Sequence, residues 1–292
     1  EAVRTALLNV EGLQETDQKR LTYFVNQVID MMAPTNFLAT NPEALELAVQ
    51  TKGQSLICGL ENLISDLEAN NGELVVRLAD DDAFKLGVNI ATTPGKVVFR
   101  NHLHELIQYT PSTETVFEKP LILFPPWINK FYILDLNEKK SFVRNLVNNG
   151  FTVFMISWKN PTTELRNTSL DDYMLMGPVE GMRVVKEITR AENIHAVGYC
   201  IGGSLLATTM GWLNGPQKKV KNLFTSFTLL TTLVDFSKPG DLGLFVDEDS
   251  MKFVEKMMAE KGYLDGKQMG TTYRIMKADG LIWNYVVNNY LY

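Results

Sequence analysis

Cysteine and histidine are scarce in this 292-residue chain, which holds two of the first and three of the second. Cys58 and Cys200 are too few for a disulfide framework, and three histidines give no well-spaced Cys/His set, so no metal and no redox role is expected. Long apolar runs are missing too: no stretch of eighteen apolar residues exists to span a membrane. The opening EAVRTALLNVEG carries acids and lacks the basic-then-apolar layout of a signal peptide, which points to a cytoplasmic protein. A basic excess is absent, with 28 Lys and Arg against 34 Asp and Glu, so no nucleic-acid surface is expected. Internal repeats and low-complexity tracts are also lacking. What remains is an ordinary globular composition, 45% hydrophobic and 21% charged, sufficient for one large core or two smaller ones.

The first third of the chain reads as mainly helical. Residues 16–32 place Leu21, Phe24, Val25, Val28, Ile29 and Met32 on one helical face, which predicts a core-facing helix ended by Pro34. A second helical stretch starts with Asn41 as N-cap and Pro42 at the first position, and Leu56, Leu60, Leu63 and Leu67 continue an apolar stripe beyond Gly53. Cys58 beside that stripe reads as a small buried hydrophobe. The acidic run Asp80 to Asp82 has no EF-hand spacing and reads as a solvated face. The Pro94-Gly95 turn signal, with apolar segments near Val97 and Leu106, predicts a β-hairpin holding His102 and His104. Those two share a strand face at i, i+2, but no third ligand lies near, so both are expected to be structural.

After residue 115 the rhythm changes to strand, turn, helix, strand, the pattern of a parallel α/β sheet. LILFPPWI supplies a buried strand ending at Pro125. Residues 137–149 predict a helix with Phe142, Val143, Leu146 and Val147 inward and Gly150 as its stop, followed by the strand FTVFMIS. Ser169 and Asp172 have the spacing of a capping box, and Pro178 should kink the helix that runs on to residue 190. His195 lies near the start of the strand IHAVGY, far from the carboxyl edge where such sheets do chemistry, and is expected to be structural. Another strand is expected at 223–230. Beyond Asp235 the segment KPGDLGLFVDEDS reads as an insertion leaving the sheet, with a helix over 250–261. The expected architecture is α/β, with a mainly helical region over 1–115. An α/β-hydrolase-like core over 116–292 follows, its sheet mainly parallel and incomplete at the C-terminus, with a lid insertion beginning near 236.

HAVGYCIGGSLLA, residues 195–207, carries the chemistry. Cys200 follows a buried strand and opens a helix, the setting of a nucleophile elbow, and the helix must pass so close to its strand that bulky side chains two residues away are excluded. Gly198, Gly202 and Gly203 meet that demand. The helix N-terminus also favours a thiolate there. Acyl transfer needs an oxyanion hole, for which the Ile201 N–H is the first donor, and an amide between Ile128 and Ile133 is the candidate second. Asp135 in that loop suits an acid or base role, but a helix cap is the preferred reading.

APTNFLATNPEA, PPWINKFYILDL, SWKNP, GYCIGG, LLTTLVDFS, LFVDE and LIWNYVVNNYL together give the chain a specific likeness. It resembles poly(3-hydroxyalkanoate) synthases, most closely the class I type, over nearly its whole length. The resemblance implies that Cys200 is the acyl-carrying nucleophile in the box Gly198-Tyr199-Cys200-Ile201-Gly202. One family loop often has a cysteine where Trp127 stands here, so no second thiol acts there. The family's catalytic Asp and His lie downstream of the region matching Trp283 to Leu291, so they are not expected in this chain. His102, His104 and His195 match no catalytic position, and Asp235 matches a non-catalytic one.

The resemblance further implies a reaction: polymerisation of (R)-3-hydroxyacyl-CoA into a polyester with release of CoA. A thiolate exchanges one thioester for another, so the acyl group keeps its reactivity on the enzyme. No cofactor is implied, since acyl-CoA is the substrate. The implied partners are the growing chain, a second copy in a homodimer and the polymer granule surface in the cytoplasm. This chain alone is expected to be inactive. A thioesterase or lipase-like hydrolase, and a non-catalytic dimerisation or granule-association fragment, are the competing readings.

Overall fold

A computed structural model describes residues 5, 10, 12–80, 82–216 and 220–292. Most of the EAVRTALLNVEG segment, and Asp81 of the acidic run, lie outside the described residues. The helices in chain order are α1 (Glu15–Met31), α2 (Pro42–Gln50), α3 (Gln54–Ala69), α4 (Phe142–Asn148), α5 (Leu170–Met174) and α6 (Glu180–Thr189). They continue with α7 (Ile201–Leu213), α8 (Glu248–Lys261), α9 (Gly266–Met276) and α10 (Asn284–Tyr290). The strands are β1 (Gly95–Arg100), β2 (His104–Tyr109), β3 (Leu121–Phe124), β4 (Asp135–Asn137), β5 (Lys140–Ser141), β6 (Val153–Trp158), β7 (Ile194–Tyr199) and β8 (Phe224–Leu230). The chain divides into two compact units, one of residues 1–83, 240–254 and 265–292, the other of residues 84–239 and 255–264.

The second unit is built on a six-stranded sheet in the order β1-β2-β6-β3-β7-β8. The first three strands pair antiparallel, and β6, β3, β7 and β8 run parallel. Strand side chains alternate between faces, so Ile122 and Phe124 enter one core with Ile156, Met182 and Leu206, while Leu121 and Leu123 enter the other with Val143, Val147 and Met155. Burial on both faces is what a parallel sheet between helices requires, and it explains the continuous apolar strands of the sequence. This is an α/β-hydrolase-like core. The β1–β2 hairpin, expected in the region before residue 115, supplies two strands of this sheet. Its turn is not at Pro94-Gly95, where β1 begins. It lies at 101–103, where the Asn101 side chain accepts from the N–H groups of Leu103 and His104. His102 therefore sits in the turn and only His104 in a strand.

Local signals fix several boundaries. Asn41 accepts from the Ala44 N–H as the N-cap of α2, and Ser169 and Asp172 form a reciprocal capping box at α5. Pro178 falls in a π turn, Leu175–Val179, joining α5 to α6. The helix expected over 137–149 begins only at Phe142, because residues 135–141 form the small β4–β5 hairpin and Ser141 caps α4. Asp135 is thus no cap. It is buried, and it accepts from the Thr93 N–H and from the hydroxyls of Thr93 and Ser141.

The first unit corrects the apolar-stripe reading. No residue of α1 is buried, and Phe24, Val28, Ile29 and Met32 are exposed. The helix instead docks within its unit through Tyr23, whose hydroxyl donates to the Ile275 carbonyl at 2.9 Å, and through Arg20, 3.4 Å from Asp247. Helical period locates an apolar face but does not name what covers it. On α3 the deepest face is Ser55, Gly59 and Asp66, while Leu56, Leu63 and Leu67 are half-buried and Leu60 is exposed. Gly59 is required there, since a Cβ would strike the Tyr290 carbonyl. Tyr290 donates to Asp66 at 2.6 Å, and Arg77 pairs with the same carboxylate. Cys58, expected to be buried, is exposed.

Candidate functional site

The last residue of β7 and the first of α7 leave one residue, Cys200, to reverse the chain. It does so with φ +53° and ψ −127°, a left-handed conformation that costs an L side chain about 1–3 kcal/mol. The Cys200 N–H donates to the Leu230 carbonyl at 2.9 Å, which ties the turn to β8. Its carbonyl accepts from the Gly203 and Ser204 N–H groups at 2.9 and 3.2 Å and so starts α7. Cys200 itself is exposed.

The three glycines show why the turn can close. A Cβ on Gly198 would lie 3.0 Å from the Gly203 nitrogen and nearer still to its Cα. One on Gly202 would lie 2.6 Å from the Pro125 carbonyl oxygen, and one on Gly203 would lie 2.9 Å from Thr232 Cβ. Strand β7, helix α7 and the ends of β3 and β8 thus meet around Cys200 at backbone contact. All of this is at the carboxyl edge of the parallel strands, where open α/β sheets place their sites.

Ile201 and Gly202 occupy the first turn of α7, where backbone N–H groups have no partner inside the helix. On the facing side the loop after β3 is held by Trp158, whose indole Nε1–H donates to the Pro125 carbonyl at 2.8 Å. Trp127 packs edge-on to Trp158 with centroids 6.3 Å apart and tilts against Tyr173 at 5.2 Å. Burial pushes the Tyr173 phenol upward. The Ile133 N–H is committed, donating to the Lys130 carbonyl at 3.0 Å at the start of the 3-10 turn Phe131–Leu134, which leaves the Ile128 end of that stretch for the candidate second donor.

The histidines are placed apart from Cys200. His195 lies five residues earlier on β7, about 16 Å away along the strand, with Nδ1 2.6 Å from the Ser226 hydroxyl. His104 is on β2, separated from β7 by β6 and β3. It is buried between Phe99 and Trp158, neither ring nitrogen has a hydrogen-bond partner, and burial pushes it down to about 4 against a smaller upward pull from Glu180. His102 is exposed. Asp235 is exposed and accepts from the Ser237 N–H, which holds its carboxyl below the usual range. Among the described residues no three His, Cys, Asp or Glu side chains are grouped to hold a metal, and no helix is long and apolar enough to cross a membrane.

Sequence reasoning missed the residues that brace the turn. Thr232 donates from its hydroxyl toward the Leu230 and Cys200 carbonyls, at 3.0 and 3.3 Å, and Ser204 donates to the Leu233 carbonyl at 2.6 Å. The available signal was the pair of threonines directly after β8, one strand over from the elbow. Trp158, in SWKNP, was visible as a motif but not as a support for the loop after β3.

The model of the poly-beta-hydroxybutyrate polymerase (PhaC) N-terminus matches residues 1–146. The chain is 44% identical over 292 residues to the poly(3-hydroxyalkanoate) polymerase of Methylorubrum extorquens, covering 100% of this chain and 47% of that protein. Against the corresponding PhaC subunits of Rhizobium meliloti and Cupriavidus necator identity is 40% and 37%, covering 97% and 98% of this chain and 46% and 49% of theirs. The chain spans about half the length of these curated relatives. Among solved structures, an esterase of Pyrococcus furiosus aligns at 12% identity and TM-score 0.38 over 73% of each chain. The fold assignment rests on the strand order and the strand-to-helix turn. Matched over half its length by that family model, and across nearly all of it by named polymerases, the chain belongs to the poly-beta-hydroxybutyrate polymerase (PhaC) family.

Proposed function

We propose that Cys200 is the nucleophile of a polyester-forming acyltransferase, and that the whole protein polymerises (R)-3-hydroxyacyl-CoA thioesters. The observation that carries this reading is the left-handed Cys200 between β7 and α7, presented outward by a turn that three glycines allow to close. The Cys200 thiolate attacks the thioester carbonyl, a carbon–sulfur bond to the enzyme forms, and the bond to CoA breaks. CoA leaves as its thiol with the proton Cys200 gave up. The hydroxyl of a monomer or chain end then takes the acyl group as an ester and returns a proton to the sulfur. The N–H groups of Ile201 and Ile128 receive the negative charge that develops on the carbonyl oxygen. By the family resemblance the base and its orienting aspartate come from residues beyond those matching Trp283 to Leu291, so His102, His104 and His195 have no part in the reaction.

The remaining expectations belong to the same reading. The segment after Asp235 acts as a lid over the sulfur, the protein works as a homodimer on a polymer granule in the cytoplasm, and no cofactor beyond the substrate is needed. The test uses the whole protein with 3-hydroxybutyryl-CoA. CoA should appear in step with insoluble polymer, and the peptide containing Cys200 should gain a hydroxybutyryl mass. Cys200→Ala and Cys200→Ser should lose both by at least about a thousandfold. Free hydroxy acid in place of polymer would make the enzyme a hydrolase, and full turnover in Cys200→Ala would remove the nucleophile assignment.

A further inference from the structure

The strain at Cys200 has a counterpart one strand away. Thr231, directly after β8, has φ +45°, and a β-branched residue in the left-handed region is a genuine outlier. Tyr199 and Leu230 pair in the β7–β8 ladder, so the two strained residues follow paired positions at the carboxyl edge of the sheet. The turn at Thr231 brings the chain back over the elbow. It sets the Thr232 hydroxyl 3.0 Å from the Leu230 carbonyl and 3.3 Å from the Cys200 carbonyl. Gly203 lies flush against the same side chain, with room for no Cβ. The peptide before Cys200 is held as well, through its N–H to Leu230.

We propose that Thr232 is a positioning residue for the reaction at Cys200, an inference that rests on Cys200 being the acyl-carrying nucleophile. The Cys200 carbonyl and the Ile201 N–H belong to one planar peptide unit and point in opposite directions. The Gly203 and Ser204 N–H groups draw that carbonyl along α7, and the Thr232 hydroxyl, reaching it from the β8 side, limits its remaining tilt and so keeps the Ile201 N–H aimed toward the place where the oxyanion forms. The bond acts on the transition state and not on ground-state substrate binding, because that N–H gains its full partner only when the carbonyl oxygen becomes charged. The strained Thr231 has a use in this arrangement: without the left-handed turn the hydroxyl would not reach the elbow.

The test compares Thr232→Val, which keeps the shape and removes the hydroxyl, with Thr232→Ser, which keeps the hydroxyl. In the whole protein Thr232→Val should lower kcat for CoA release about tenfold with KM within about twofold, and Thr232→Ser should restore kcat to within about twofold. Wild-type kcat in Thr232→Val, a loss carried in KM, or failure of Thr232→Ser to rescue would each overturn the proposal. Should Thr232→Val fail to fold, Thr232→Ala takes its place with the same expected split. Cys200→Ala measured alongside separates the two levels of inference. If it retains turnover, the nucleophile reading falls and the positioning role falls with it. If it is inactive while Thr232→Val is unimpaired, only the positioning role is refuted.

Discussion

Two alanine substitutions on one helix should move stability in opposite directions. At Gly202, in the first turn of α7, a Cβ would lie 2.6 Å from the Pro125 carbonyl oxygen and 2.8 Å from its carbon, with the Phe124 oxygen closer still. These are backbone atoms. They cannot rotate away, because Phe124 pairs with Gly198 in the sheet and the Pro125 carbonyl is held by Trp158. Ordinary contact begins at 3.4 Å, so the start of α7 must retreat by roughly 1 Å, at a cost of about 1–3 kcal/mol. At about 2–4 °C per kcal/mol for a domain of this size, the melting temperature should fall by several degrees. On the proposed roles of the Ile201 N–H and Cys200 Sγ, the same retreat misplaces both, and a misplacement of about 1 Å is worth about a hundredfold in rate.

At Gly211, ten residues into the same helix, a Cβ meets nothing within 4 Å. Alanine there should add about 0.5–1 kcal/mol by propensity alone and leave CoA release unchanged. Thermal unfolding of the whole protein followed by circular dichroism, with the CoA release proposed for it measured on the same preparations, checks both. A Gly202→Ala protein that melts with the wild type and retains its rate would refute the close-approach account of the turn.

Two further perturbations test groups away from the elbow. His104 titrates near 4 when folded against about 6.5 when unfolded, so as pH falls through that window the unfolded chain takes up a proton the folded chain refuses. Its stabilising contribution is complete above about pH 6.5 and drops by up to about 2 kcal/mol by pH 5. His104→Phe keeps a ring between Phe99 and Trp158, and it should flatten this loss; an equal difference between the two proteins in urea midpoints at pH 7 and pH 5 would contradict the assignment. Tyr290→Phe removes the hydroxyl that donates at 2.6 Å to the buried Asp66, and it should cost about 1–2 kcal/mol in urea unfolding of the whole protein. An unmoved midpoint would mean that Arg77 alone satisfies that carboxylate.

Residues whose neighbours lie close in sequence were the legible ones. Asn41, Ser169 and Asp172 act within a single turn, and the elbow is written in the six consecutive residues 198–203 because its steric demands fall two positions before Cys200 and two and three after it. Asp135 was misread because its partners are Thr93, far off in sequence, and Ser141, which displaces it as the cap of α4. The α1 and α3 stripes were misread for a different reason. Periodicity marks which residues share a face, yet α3 buries Ser55, Gly59 and Asp66 because a tyrosine 224 residues after Asp66 offers its hydroxyl and its backbone there. A buried polar stripe of that kind has no compositional signal until its partner is known.

The same distinction separates the proposed nucleophile from what aims it. A Gly-x-Cys-x-Gly turn shows that a sulfur is pushed outward, but not which way its peptide plane faces. That orientation is set by the first bonds of α7, from the Gly203 and Ser204 N–H groups to the Cys200 carbonyl, together with groups from elsewhere in the chain. The Leu230 carbonyl holds the N–H of Cys200, the Thr232 hydroxyl reaches its carbonyl, and Trp158 fixes the strand end that Gly202 touches. Two left-handed residues on adjacent strand ends are unfavourable taken singly. Cys200 bonds to the end of β8, and Thr232, delivered by the turn at Thr231, bonds back to Cys200, so the two turns are mutually dependent and loosening one releases the other. On this argument the rate of acyl transfer should be more sensitive to changes at the end of β8 than to conservative changes at Tyr199 or Ile201. The side chains of those two neighbours are not what holds the turn.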